Sequence, residues 1–180
     1  MSRIPADEKR VLTTDPIHRG FGYVIFEGPE QLIDWGVRHV DGQKNKASIA
    51  AAGEFISRYR PNILVVEDVA TKGSRRCRRV RELVEALDRF GRERGLTVRK
   101  ISQAKVKRAF SPSGIRNKDQ IARFIAVQFP ELARHVPPER KPWMSEDERM
   151  AIFDAAAFAR AFFGHERENS EEPSCFGTTK

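Results

Sequence analysis

The first forty residues of the chain follow the hydrophobic pattern of β-strands. Apolar runs at Val11–Thr14 and Phe21–Phe26 are separated by a short polar segment, and Gly28 begins a Gly-Pro turn that leads into Gln31–Val40. In this third segment apolar and polar side chains alternate with the period of two that is typical of a strand. The pattern predicts a three-stranded antiparallel meander joined by tight turns.

The rest of the chain combines helical patterns with short strand patterns. Apolar residues recur every three or four positions in the predicted helices, whereas Ile63–Val66 is a continuous apolar run, as expected for a strand buried on both faces. The predicted helices are Lys46–Tyr59, Val80–Phe90, Gln103–Phe110, a helix capped by Asn117 and ended by Pro130, and Ser145–Phe163; the further strands are Ile63–Val66 and Leu96–Ile101. Strand–helix–strand order implies parallel pairing. We therefore predict an α/β fold with a mixed five-stranded sheet, in which parallel strands continue the meander and helices cover the faces.

Length and composition indicate one soluble domain. The chain has 180 residues, 39% of them hydrophobic and 32% charged, which is typical of a globular protein with its own core. We predict a loose N-terminus over residues 1–10, a single domain over 11–164 and a disordered polar tail over 165–180. No apolar stretch is long enough for a signal peptide or a membrane span, so the sequence predicts a cytoplasmic protein that does not enter a membrane.

The charge of the chain favours a polyanionic partner. There are 33 Lys and Arg residues against 25 Asp and Glu residues, a formal net charge of +8. Residues 71–108 alone hold 14 basic and 4 acidic residues. A basic protein attracts nucleic acid, and its Lys and Arg side chains neutralise phosphates largely independently of base sequence.

Three acidic residues stand beside segments that the pattern predicts to be buried. Asp15 follows the first strand, Glu67 ends the buried strand ILVVE, and Asp154 lies in the alanine-rich face of the last helix. A carboxylate in such a place is costly unless it has a partner or a metal ion. Mg²⁺ prefers oxygen ligands, and paired divalent ions support phosphodiester hydrolysis. The alternative is that any one of these acids is a surface or capping group.

The same residues resemble the motifs of the RuvC-like Holliday-junction resolvases, which belong to the ribonuclease-H-like nuclease superfamily. The first motif is an apolar strand, Asp15 and a proline, and then a Gly-Tyr pair at Gly22 that opens the second strand. The second is the glutamate that ends the fourth strand, Glu67, and the third is the Asp-Ala-rich helix around Asp154. The likeness covers residues 11 to 163 and includes the order of the elements.

The sequence departs from the family pattern at three places. Ile17 stands where the family usually has glycine, and Val69 stands where it has an aromatic residue shortly after the second acid. The family commonly has a further acid three residues from the helical aspartate, but Ala151 and Ala157 occupy those positions. Glu146, Asp147 and Glu148 are candidate substitutes, Asp147 foremost. However, Ser145-Glu-Asp-Glu148 is also the pattern of a capping box at the start of a helix.

The resemblance implies an activity, a cofactor and an assembly. It implies a ribonuclease-H-like fold and a structure-selective endodeoxyribonuclease that cleaves branched DNA by phosphodiester hydrolysis. Asp15, Glu67 and Asp154 would be its catalytic residues and would hold Mg²⁺, with Mn²⁺ as a possible substitute. The protein would act as a homodimer on a four-way junction. Two alternatives remain: a protein of this fold that binds nucleic acid without cleaving it, and a nuclease that acts on RNA or on other DNA structures.

Two groups of basic residues are candidate nucleic-acid contacts. The first follows Glu67 directly and the second surrounds the predicted helix that begins at Gln103. Their members are Lys72, Arg75, Arg76, Arg78 and Arg79 in the first group, and Lys105, Lys107, Arg108 and Lys118 in the second. A solvated helix face is the alternative explanation for such a run of charge. Lys118 also resembles the basic residue that opens the corresponding helix in the resolvase family.

Overall fold

A five-stranded mixed sheet forms the centre of the fold. The computed structural model of the protein describes residues 9–70, 76–141 and 143–171, the last four through their backbone alone. The strand order is β3-β2-β1-β4-β5, in which β1, β2 and β3 are antiparallel neighbours and β4 and β5 run parallel to β1. The predicted fold class, a meander continued by parallel strands, is confirmed.

The helices and strands have these bounds. The strands are β1 Arg10–Ile17, β2 Gly20–Glu27, β3 Gln31–His39, β4 Ile63–Glu67 and β5 Thr97–Ile101. The helices are α1 Lys44–Tyr59, α2 Arg78–Glu93, α3 Gln103–Phe110, α4 Lys118–Gln128 and α5 Met150–Glu171, with short 3-10 helices at Ser111–Ser113 and Pro130–His135. Asn117 caps α4 as predicted, because its side chain accepts a hydrogen bond from the backbone N–H of Gln120.

Helices cover both faces of the sheet and create two hydrophobic cores. One core lies between the sheet and α3, α4 and α5, and includes Val11, Val65 and Phe153. The other lies between the sheet and helices α1 and α2, and includes Leu12 and Leu64. Neighbouring residues of one strand therefore enter opposite cores, as the alternation of a strand requires.

The first strand is longer than predicted. The sequence predicts that it ends at Thr14, but the ladder between β1 and β2 continues to the pair Ile17–Gly20. Gly20 has a φ of 132°, which an L-residue with a side chain rarely adopts, and this allows the hairpin to close directly after Ile17. Asp15 therefore lies inside a paired strand, with a more rigid backbone than a loop would provide.

The predicted start of the last helix at Ser145 is wrong. Helix α5 begins at Met150, because Asp147 turns the chain before it. Asp147 accepts hydrogen bonds from the backbone N–H of Arg149 at 2.9 Å through its side chain and from that of Met150 at 2.9 Å through its backbone carbonyl. The capping box that the sequence predicts from Ser145 to Glu148 does not form.

The predicted end of that helix at Phe163 is also wrong. Helix α5 continues to Glu171, so the first part of the predicted disordered tail is helical. Long-range ion pairs accompany this extension: Glu166 contacts Lys9, and Arg167 lies 3.8 Å from Glu30. Residues 172–180, the rest of the predicted tail, and residues 1–8 of the predicted loose N-terminus lie outside the described residues. Within the described ranges, no helix is both long enough and apolar enough to cross a membrane.

Candidate active site

Strand register brings Asp15 and Glu67 to the same end of the sheet. Strands β1 and β4 are parallel neighbours in which Val11 pairs with Ile63 and Thr13 pairs with Val65. Two residues further along each strand, Asp15 and Glu67 therefore lie side by side on the face that helix α5 covers. Both acids are almost completely buried, with 2% and 3% of their surfaces exposed.

Helix α5 carries Asp154 to the same place through a close contact with β2. Gly22 pairs with Asp15 across the β1–β2 ladder and lies directly under Ala151 of the helix. A Cβ atom at Gly22 would lie only 2.4 Å from the carbonyl carbon of Ala151, so a glycine is what allows the helix to come this near. Asp154 is three residues after Ala151, about one helical turn along the axis.

Arg76 bridges two of the three acids. Its Nη2 atom contacts Asp15, and its Nε atom donates a hydrogen bond to Oε2 of Glu67 at 2.6 Å. The same guanidinium donates from Nη1 to the carbonyl oxygen of Pro16 at 3.3 Å. Burial alone would lower the pKa of Arg76, but Asp15 and Glu67 raise it further than burial lowers it. This cation is therefore held firmly over the carboxylates in its charged form.

Lys118 makes the corresponding contact with the third acid. Its Nζ atom, at the start of α4, donates hydrogen bonds to Oδ2 of Asp154 at 2.7 Å and to Oε1 of Glu146 at 3.0 Å. Glu146 comes from the segment between α4 and α5, so the ammonium group joins that segment to the acidic site. On the other side, Gln103 donates from Nε2 to Oε1 of Glu67 at 3.2 Å.

The acids retain a deficit of positive charge despite these cations. Burial raises the pKa of Asp15 from 3.8 to about 8; Arg76 opposes this shift, whereas Asp154 adds to it. Burial also raises the pKa of Asp154, while Lys118 opposes the shift. A buried carboxyl group whose pKa rises this far lies where additional positive charge would be favourable.

The raised pKa of Asp15 predicts a pH-dependent stability in metal-chelating buffer. Between its ordinary pKa of 3.8 and about 8, the folded protein holds a proton on Asp15 that the unfolded chain has released. The contribution of this group to the free energy of unfolding is therefore complete at low pH and is lost as pH rises through about 8. Urea unfolding between about pH 5 and about pH 8 measures it.

The control for this prediction is a carboxylate that is open to solvent. In Asp15→Asn the free energy of unfolding should fall less steeply between about pH 5 and about pH 8 than in wild type. Asp41→Asn changes a side chain that is 94% exposed and should keep the wild-type slope. Equal slopes in wild type and Asp15→Asn would contradict the assignment of the raised pKa.

The donor set suits a hard divalent cation. Three carboxylates from a strand, its parallel neighbour and a helix supply oxygen atoms, which Mg²⁺ and Mn²⁺ prefer. The raised pKa values of Asp15 and Asp154 also show that additional positive charge beside these acids would be favourable. However, among the described residues no group of three or more His, Cys, Asp or Glu is already arranged around a common metal position. Arg76 and Lys118 now contact the oxygens that such an ion would use.

The remaining predicted nucleic-acid contacts are distributed around this end of the sheet and along α3. Lys72 and Arg75 lie outside the described residues. Arg78 is exposed and forms an ion pair with Glu82, while Arg79 donates to the carbonyl oxygen of Ile17 at 2.6 Å and to Asn45. Arg79 therefore supports the β1 turn. The exposed cations of α3 are Lys105, Lys107 and Arg108.

The positions where the sequence departs from the resolvase pattern have structural roles. Ala151 and Ala157 are 3% and 2% exposed and belong to the core, and Val69 is buried as well. Asp147 forms an ion pair with Arg149 and contacts none of the three acids among its described hydrogen bonds and ion pairs. The acid that approaches the site from this segment is Glu146. The sequence offers Glu146 as a candidate acid but does not predict its contact with Lys118, nor that of Gln103 with Glu67, because each depends on a long-range neighbour.

Comparison with known proteins shows the fold. The sequence matches no protein-family model and no curated protein. In structure, the chain is similar to Thermus thermophilus RuvC, with a TM-score of 0.62 and 19% identity over 89% of this chain and 96% of that one. It is similar to T. thermophilus RuvC in complex with Holliday junction substrate, with a TM-score of 0.62 and 18% identity over 90% and 97%. It is also similar to the yeast mitochondrial Holliday junction resolvase Ydc2, with a TM-score of 0.54 and 13% identity over 90% of this chain and 83% of that one. The predicted RuvC-like fold is confirmed.

Proposed function

We propose that this chain, which has a RuvC-like fold, is a metal-dependent endonuclease that cleaves branched DNA. The observation that carries the proposal is the meeting of Asp15, Glu67 and Asp154 at one end of the sheet, with cations beside them, in a protein with a net charge of +8. The structural neighbours named as Holliday junction resolvases support the choice of branched DNA as substrate.

The three carboxylates would hold the metal ion. Asp15 is near both of the others, because it shares Arg76 with Glu67 and because Asp154 is near enough to raise its pKa. A bound divalent cation would supply charge stabilisation at the scissile phosphate and an activated water for attack on phosphorus. The rigid strands β1 and β4 keep the first two acids at a constant separation, and helix α5 sets the third.

Arg76 and Lys118 would bind the DNA phosphates. In the free protein, each is neutralised by the acids. With a divalent cation on the carboxylates, Arg76 and Lys118 would lose these ion-pair partners. They are then available to anionic phosphate oxygens at the same end of the sheet. Lys105, Lys107 and Arg108 would extend the contact along the DNA backbone.

A symmetric dimer would complete the activity. One site of this kind hydrolyses one phosphodiester bond, whereas resolution of a four-way junction needs two nicks. A two-fold dimer supplies two equivalent sites with a defined spacing. We therefore propose a homodimer as the active species.

The test is incubation of the protein with an end-labelled four-way junction, a linear duplex of the same sequence and a single-stranded RNA. Each is incubated in Mg²⁺, in Mn²⁺ and in EDTA. We expect paired nicks near the crossover of the junction with either metal, little cleavage of the duplex or the RNA, and none in EDTA. Preferential cleavage of the RNA or the duplex would overturn the choice of substrate.

A protein that binds branched DNA without cutting it is the second candidate. The contacts of Arg76 and Lys118 favour it, because these cations pair with the acids as they would in a non-catalytic ion-pair cluster. Tight binding of the junction with no cleavage in either metal would select this candidate and overturn the nuclease proposal.

A further inference from the structure

The loop that carries Glu146 also carries an exposed tryptophan. Trp143 has 78% of its surface exposed, and only Val127 and Trp143 exceed 70% among the large hydrophobic residues of the described chain. A buried aromatic side chain removes about 150–250 Å² of surface from water, so this indole leaves a large, flat apolar surface open to a partner. Its neighbour Met144 is 47% exposed.

The loop holds this side chain in a defined place. The backbone N–H of Met144 donates to the carbonyl oxygen of Lys141 at 3.0 Å, and the Nε atom of Arg140 donates to the carbonyl oxygen of Met144 at 2.7 Å. The Nζ atom of Lys141 lies 5.5 Å from the centre of the indole ring, a cation–π contact. The indole is therefore presented from a hydrogen-bonded loop, with the Lys141 ammonium group beside its ring.

The loop also lies next to the acids. Trp143 is three residues before Glu146, which spans at most about 11 Å of chain, and Glu146 shares Lys118 with Asp154. A cleft of about 330 Å³ runs from Met144, the residue after Trp143, to Lys118. Lys118, Arg140, Met144, Glu146 and Met150 are among the residues that line it.

We infer that Trp143 binds an unstacked nucleobase of the DNA next to the cleaved strand, an inference that rests on the proposed function. A flat aromatic ring offers a stacking surface that any base can use, and cations beside it attract the phosphates of the same strand. Bases in a continuous duplex are already stacked, whereas those at a branch point or in a single strand are free to stack on the protein. The indole thus favours branched or single-stranded DNA over duplex.

The fluorescence of the indole tests this directly. The chain has two tryptophans, so in Trp35→Phe the remaining emission comes from Trp143. In EDTA, where cleavage does not occur, a four-way junction and oligothymidine should quench this emission strongly, and a duplex of the same sequence should quench it weakly. The matched Trp143→Phe protein, which keeps Trp35, should show little quenching with any DNA.

Affinity gives the second measurement. Trp143→Ala should bind oligothymidine and the junction about tenfold more weakly, while duplex affinity stays unchanged. Trp143→Phe should recover most of the loss, because it restores an aromatic ring, and Val127→Ala should match wild type. Unchanged affinity of Trp143→Ala, or equal quenching by duplex, would overturn the inference.

Failure of the inference differs from failure of the proposed function. If wild-type protein binds none of the three DNAs, the proposed function itself fails. If it binds them but Trp143→Ala loses only self-association, measured by sedimentation, then the indole contacts a second copy of the chain and not a base.

Discussion

Asp15→Asn and Glu67→Gln are each expected to reduce junction cleavage by about a thousandfold or more. Charge stabilisation of the scissile phosphate by a bound metal contributes several kcal/mol to the transition state, and each 1.36 kcal/mol corresponds to about a factor of ten in rate. Both substitutions preserve the shape of the side chain and remove the negative charge that would hold the ion. Single-turnover cleavage of labelled junction in Mg²⁺ measures the effect.

DNA binding should survive these substitutions. Loss of the negative charge of Glu67 leaves Arg76 freer to meet a phosphate, whereas Asp15 already carries a proton below about pH 8, so its replacement by Asn changes the charge beside Arg76 little. We therefore expect junction affinity in EDTA to be equal to or tighter than that of wild type. A nuclease with these acids in a structural role would instead lose folding and binding together, which thermal unfolding and a binding titration would reveal.

Two charge-matched substitutions serve as controls. Asp41→Asn alters a carboxylate that is 94% exposed, and Glu85→Gln alters an exposed acid on helix α2. Each changes the net charge by the same amount as its counterpart in the site. Both should cleave within about twofold of wild type, since exposed charges have small and screened effects. If Asp15→Asn cuts as well as Asp41→Asn, the proposed metal site is wrong.

Gly22→Ala is expected to destabilise the protein by about 1–3 kcal/mol, the usual range for an overpacked contact. The added Cβ would lie 2.4 Å from the carbonyl carbon and 2.5 Å from the Cβ of Ala151, distances at which helix α5 must move away from β2. Because α5 carries Asp154, cleavage should fall even where the variant remains folded. Urea unfolding and single-turnover cleavage measure the two effects.

Gly164, which lies within α5 itself, provides the control. Gly164 lies inside α5 with no atom within 4 Å of where a Cβ would be, so Gly164→Ala should stabilise the helix by roughly 0.5–1 kcal/mol. Adding Ala151→Gly to Gly22→Ala should restore little, because the backbone carbon and oxygen of residue 151 still obstruct the new methyl group. Wild-type stability in Gly22→Ala would show that α5 does not approach β2 this closely.

Periodicity and local chemistry in the sequence were enough to determine the fold. The alternation in the first forty residues, the continuous apolar run at β4 and the cap at Asn117 each depend on residues near one another in the chain. Such signals act over a few positions, and parallel pairing follows from the order of the elements. The same pattern predicted Asp15 and Glu67 at the ends of their strands, but the structure places Asp15 inside β1, and the catalytic role of both acids stays a prediction.

The tertiary structure alone decided which groups contact the acids and where the last helix begins. Arg76 reaches Asp15 across 61 positions of sequence, and Lys118 reaches Asp154 across 36. Helix α5 begins at Met150 because Asp147 turns the chain and Glu146 meets Lys118, although Ser145 has the local pattern of a cap. Similarly, the 78% exposure of Trp143 depends on how the surrounding elements pack, which the local sequence does not encode. Long-range contacts of this kind have no local signature, because their free energy comes from partners that only the folded chain brings together.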